Sequence, residues 1–166
     1  MRKVTIFSAA AVMVYATQLQ AAPADDLHLT AFVNPICEVT NSGLPTIDFG
    51  DVSIGLQTQV VNLFLQCNDA EGAVVKLISV EGGLESDDKE DHAIKYDATF
   101  APLTLTPFTL STTGGPGVND QWADHNYSGS SALAAGMPTT LTIATQETMP
   151  WAGGYSDTLA INITAN

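Results

Sequence analysis

The chain reads as an all-β protein, an antiparallel sandwich of about seven short strands. Past residue 25, apolar residues recur at every second position through most of the sequence. Thr, Ser, Val and Ile are plentiful, and Gly, Pro and Asn clusters break the apolar runs into short segments. No window of eleven or more residues beyond the N-terminal apolar run keeps a helical period. A length of 166 residues suits one domain with a sizeable core.

Each segment follows from its own pattern. Asp26–Val33, DLHLTAFV, places Leu27, Leu29, Ala31 and Val33 on one face. Pro35 interrupts, and Ile36–Thr40 resumes as a strand. Thr46–Gly50, TIDFG, is short and extended, closed by glycine. Gln57–Cys67 is a long strand with Val61, Phe64 and Leu65 largely buried, and Ala73–Val80 is β-branched and bounded by glycines. His92–Phe100 alternates around Ile94, Tyr96 and Ala98. Leu103–Leu110 is weaker because Pro102 and Pro107 limit ladder pairing. Residues 111–136 are expected to hold little regular structure. Thr139–Thr145 and Tyr155–Thr164 close the chain as strands.

The N-terminus carries an export signature. Arg2 and Lys3 precede an apolar run from Val4 to Ala16, followed by a polar stretch ending in small residues. A run of thirteen residues is short for a bilayer span. Residues 1–21 are therefore read as a signal peptide cleaved after Ala21, with Ala22 and Ala24 as alternative sites. The remainder would carry three lysines, no arginine and eighteen acids, a charge of −15. That balance excludes a phosphate-binding face and docking on anionic membranes. With only 14% charged residues and 45% hydrophobic ones, a disordered acidic tail is also excluded.

Cys37 and Cys67 are separated by twenty-nine residues. In an exported chain an isolated pair is read as one disulfide. Neither cysteine has a CxxC or a neighbouring His cluster that would favour metal.

Catalytic signatures are missing. His28, His92 and His125 lie in no nucleophile motif, and there is no G-x-S-x-G, H-E-x-x-H or phosphate-cradling loop. The chain is expected not to be an enzyme and to need no cofactor or metal. The acidic run Glu85–Asp91 lacks the spacing and glycine of a calcium loop and reads as a solvated hairpin turn. Asn126 and Asn162 spell glycosylation sequons, as chance allows in a chain rich in Asn, Ser and Thr. Trp122, Tyr127 and Trp151 could stack sugars, although aromatics more often pin cores and loops.

Several of these features in order resemble a family. An alternating strand precedes the first cysteine in Cys37-Glu-Val39, and Ile47-Asp48-Phe49-Gly50 follows it. The second cysteine ends a hydrophobic strand, Ile94-Lys-Tyr96 stands at a central strand, and Trp122-Ala-Asp124 is similar to a Trp-Gly-Asp loop. Gly153-Gly-Tyr155-Ser-Asp157-Thr158 opens the last strand. The layout resembles bacterial chaperone–usher pilins, most closely the spore coat protein U-like domain of archaic fimbriae. Two features depart from it: Thr142-Ile-Ala-Thr-Gln stands where the family has Tyr-Gly-Arg, and Ala123 replaces the loop glycine.

The resemblance implies an incomplete immunoglobulin-like sandwich, completed by a donor strand from another subunit. Residues 22–34 would be the donor segment, with Leu27, Leu29, Ala31 and Val33 inserted into a neighbour's groove, and 35–166 the pilin domain. The implied partners are other pilin subunits, a periplasmic chaperone and an outer-membrane usher, with no nucleic acid, and the implied location is a surface fimbrium. The other reading of residues 25–34 is an ordinary first strand completing its own domain. The alternative function is a secreted carbohydrate-binding sandwich using Trp122, Tyr127 and Trp151.

Overall fold

The computed structural model describes residues 28–41, 46–88, 92–149 and 151–166. The signal-peptide expectation and Leu27 lie outside the described residues. The chain divides into two units, Met1–Val33 and Asn34–Asn166. In the first, residues 28–33 are exposed and belong to no strand.

The second unit is an all-β antiparallel sandwich. Its strands are β1 (Cys37–Asn41), β2 (Thr58–Cys67), β3 (Gly72–Ser79), β4 (Leu84–Ser86), β5 (Ala93–Ile94), β6 (Tyr96–Pro102), β7 (Phe108–Ser111) and β8 (Gln121–Ser128). After helix α1 (Ser131–Ala135) come β9 (Met137–Thr145), β10 (Tyr155–Ser156) and β11 (Leu159–Ala165). One sheet runs β1-β2-β9-β6-β7 and the facing one β11-β3-β8, and a small sheet runs β10-β4-β5. The alternation seen in sequence becomes inward and outward faces. Leu63, Leu65, Leu141, Ile143 and Phe100 of the large sheet meet Val75, Leu77 and Tyr127 of the facing sheet in one core.

Four segments differ from the sequence reading. Residues 46–50, expected to be extended, join no ladder; Asp48 Oδ1 instead accepts from Gly50 N, a local turn that competes with strand pairing. The strand expected over His92–Phe100 is broken at Lys95, and β5 and β6 join different sheets. The last strand is likewise broken at Asp157-Thr158 into β10 and β11. Residues 111–136 hold β8 and α1, so Trp122-Ala-Asp124 lies in a strand rather than a loop. The helix escaped notice because five residues are too few to show a period. Its ends are nonetheless specified: Ser130 Oγ accepts from Leu133 N, and Gly136, at φ 85°, ends it with N–H bonds to Ala132 O and Leu133 O.

The two long sides of the sandwich are unlike. On one, β7 approaches β8 and aromatic rings fill the seam. Phe108 lies 5.7 Å from Phe100 and 5.8 Å from His125, which lies 4.7 Å from Tyr127. Tyr127 Oη donates to Thr106 O at 3.0 Å. That side is closed by side chains.

Candidate functional site

The opposite side is open. The 46–53 segment and β1 stand across from β11, and between them lies a groove of about 950 Å3. Val61, Leu63, Leu141 and Ile143 line it from the large sheet. Ile47, Phe49 and Val52 line it from the 46–53 segment, while Leu159 and Ile161 of β11 face them. Met149, Trp151 and Tyr155 line it from the stretch before β11. Leu159, Ile161 and Ile163 are only half-buried although they pack on the core.

The backbone of β11 sharpens this geometry. Among the described residues β11 pairs with β3 alone, in the register Leu159↔Ser79 to Ala165↔Ala73. Val80 N donates to Thr158 O at 3.0 Å, and Asn166 N to Gly72 O at 3.1 Å. In an antiparallel ladder these contacts assign the β3-directed bonds to the even-numbered residues. The N–H and C=O groups of Leu159, Ile161, Ile163 and Ala165 therefore point toward the open edge. Of these, Leu159, Ile161 and Ile163 turn their side chains toward the core, while Ala165 is exposed. Unpaired backbone and half-covered apolar surface thus coincide along one strand.

Asp157 closes one end of the site. Its Oδ2 accepts from Ser79 Oγ at 2.5 Å and Tyr96 Oη at 2.6 Å, and its Oδ1 from Glu81 N at 2.9 Å and Thr158 N at 2.7 Å. Burial, reinforced by the Asp157 carboxylate accepting its proton, pushes the Tyr96 hydroxyl far above the usual tyrosine range. Four donors on one carboxylate hold the start of β11 against β3 and β6. Sequence reasoning included Asp157 only within the terminal motif. Its partners Ser79, Glu81 and Tyr96 are 61 to 78 residues distant along the chain, so no local pattern could reveal them.

Cys37 and Cys67 form a disulfide and are direct register partners across β1 and β2. Leu29 and Val33 are 85% and 77% exposed, and Ala31 is exposed as well. The three aromatics of the sugar-binding alternative do not converge. Trp122 is exposed with Lys76 Nζ 4.2 Å from its ring, Tyr127 is buried on the inner side of the same strand, and Trp151 lines the groove. The acidic run begins within β4, where Glu85 pairs with Ala93 of β5, and Asp87 and Asp88 follow the strand, with Lys89–Asp91 outside the described residues. Among the described residues no group of three or more His, Cys, Asp or Glu could hold a metal ion.

Comparison with models of known protein families and with curated proteins finds no match to this chain.

Proposed function

We propose that this chain is a structural fimbrial subunit that polymerises by donor-strand exchange, each subunit lending its N-terminal segment to the groove of the next. The observation that carries the reading is the pairing of opposites within one chain. An open strand edge, β11, lies over an apolar groove, and an exposed alternating segment precedes the first cysteine. Leu27 to Val33 spans seven residues, about 23 Å when extended, and β11 is also seven residues long. An uncovered edge of this kind invites addition of a further strand, with main-chain bonds giving affinity and alternate side chains giving fit.

Donation from head to tail does not close on itself and so builds a fibre. It also accommodates the charge. Subunits of like charge repel, whereas a buried donor strand bearing Leu27, Leu29, Ala31 and Val33 is indifferent to surface sign. Burying each Leu or Val contributes roughly 1.5–3 kcal/mol. In this reading the N-terminal 21 residues direct export, a periplasmic chaperone covers the groove before assembly, and an outer-membrane usher passes subunits to the cell surface.

The test is a charge placed in the donor. Leu29→Asp subunits should still bind an added DLHLTAFVN peptide, because their own groove is intact, yet fail to polymerise, since donation would bury an unpaired carboxylate. His28→Ala, on the other face, should polymerise normally. Leu29→Asp subunits that form fibres as well as wild type would sink the donor-strand assignment.

A further inference from the structure

We infer that Asn68 is a positioning residue for the joint between successive subunits. The inference rests on the donor-strand reading: in such a fibre, the chain just before Cys37 is the covalent link between a subunit's own domain and the segment it lends. The freedom of that link decides how far one subunit swings relative to the next.

Asn68 holds this link with three hydrogen bonds. Its backbone N–H donates to Ile36 O at 2.9 Å. Its Oδ1 accepts from Ile36 N at 2.8 Å, and its Nδ2 donates to Asn34 O at 2.7 Å. Both backbone groups of Ile36 are therefore satisfied by one residue, extending the β1–β2 ladder one step beyond the Cys37–Cys67 pair. The side-chain amide does what a neighbouring strand would do, presenting an acceptor at Oδ1 and a donor at Nδ2. The change Asn68→Asp would lose the bond to Asn34 O, and Asn68→Leu would lose both side-chain bonds.

Two covalent features tighten the same place. The disulfide anchors Cys37 to the residue immediately before Asn68. Pro35, between the two clamped residues, has its φ restricted by its ring. Clamped in this way, Asn34, Pro35 and Ile36 belong to the domain and not to a free linker. Released, they would add three residues of slack, about 10 Å of reach. Ile36 is 39% exposed and Asn34 and Pro35 are exposed, so no core packing replaces the clamp.

The experiment compares full-length wild type, Asn68→Ala, Asn68→Asp and a chain with Gly-Ser inserted between Val33 and Asn34. Asn166→Ala, whose side chain bonds to Glu71 O and Asn126 Oδ1, controls for loss of a surface amide elsewhere. Three readouts are taken: amide exchange at Ile36, affinity for the DLHLTAFVN peptide, and fibre persistence length by electron microscopy. Asn68→Ala should speed exchange at Ile36 about five- to tenfold, the loss expected for a backbone hydrogen bond. Peptide affinity should stay within about twofold of wild type, because Asn68 lies outside the groove. Fibres should form but bend more, with a persistence length at most about half that of wild type, in the direction set by the Gly-Ser insertion. Asn68→Asp, which keeps the bond from Ile36 N, should fall between, and Asn166→Ala should match wild type.

Asn68→Ala fibres as stiff as wild type, while the insertion softens them, overturn the role of Asn68. Should Asn68→Ala fail to fold, the same comparison with Asn68→Asp decides. Equal softening by Asn166→Ala also overturns it, since the effect would then be general. A wild-type chain that neither binds the peptide nor polymerises overturns the donor-strand reading itself, and the inference with it.

Discussion

Tyr96 and Asp157 are joined by a 2.6 Å hydrogen bond that ties the start of β6 to the turn before β11. Tyr96 is 2% exposed, so its hydroxyl has little recourse to water if the carboxylate is lost. The open edge of the sandwich is thereby fixed at the point where the last strand begins.

Removing this anchor should be costly. Asp157→Ala strands the Tyr96 and Ser79 hydroxyls and the Glu81 N–H, and hydrogen bonds to a charged acceptor contribute about 1.5–3 kcal/mol each. Since the bonds form one network, a total loss of about 3–4 kcal/mol is expected in chemical denaturation, and Asp157→Asn should lose less. A change under about 1 kcal/mol would show that the network carries no net stability.

The disulfide should contribute on a similar scale. Cys37 and Cys67 lie 30 residues apart, and closing such a loop stabilises by roughly 3–4 kcal/mol in the chain-entropy picture. Cys37→Ser should lower the denaturation midpoint accordingly, and reductant should do the same to wild type. Free thiols detected by mass spectrometry in native protein would contradict the bond.

Proline scanning along β11 should reveal the parity of its edge. Ile163 directs its N–H to the open side, so Ile163→Pro removes no β3 ladder bond and should leave much of the stability intact while weakening DLHLTAFVN binding. Asn162 donates within the ladder, so Asn162→Pro should destabilise the fold by about 3 kcal/mol or more. The reverse ranking in thermal melts would mean that the edge is assigned to the wrong face.

Alkaline pH should unfold the protein partly through Tyr127. Burial pushes its hydroxyl up to about 12, above the value near 10 of an unfolded chain. The folded state thus holds this proton more tightly, and the corresponding stability is complete below pH 10 and is lost progressively as pH rises through about 12. Tyr127→Phe should flatten the pH dependence of stability over that window. An unchanged slope would exclude this residue as a source of it.

Calcium should leave the melting temperature nearly unchanged. Glu85, Asp87 and Asp88 lie at the β4–β5 turn and its approach, and a ligand at 100 times its dissociation constant would add about 2.7 kcal/mol. A rise of several degrees, abolished by Asp87→Asn with Asp88→Asn, would reveal a binding site.

Strands whose inward positions are apolar were legible. Gly72–Ser79 and Thr58–Cys67 read as strands, with Leu63, Leu65, Val75 and Leu77 facing one core. Phe64, expected to be buried beside Leu65, is 39% exposed, because neighbouring residues of a strand face opposite sides and Leu63 holds the inward place. β8 was not legible, because its inward positions are Gln121, Ala123, His125 and Tyr127. Gln121 is satisfied by bonds with Thr113, and His125 by stacking on Phe108, so an inward face was built without an apolar pattern. The breaks at Lys95 and Asp157-Thr158 were hidden for a related reason. Alternation continues across them, while the change of partner sheet is recorded only in the pairing.

The sequence by itself determined the all-β class, the two partners of the disulfide and the alternating segment before it, because each depends on spacing within a few residues or on a unique pair. Only the tertiary structure decided which side of the sandwich is open, which residues of β11 direct backbone groups to that edge, how Asp157 holds the start of β11, and how Asn68 holds the chain before Cys37. Those features depend on contacts between residues about 30 to 80 positions apart, where strand register selects the partner and side-chain period alone does not.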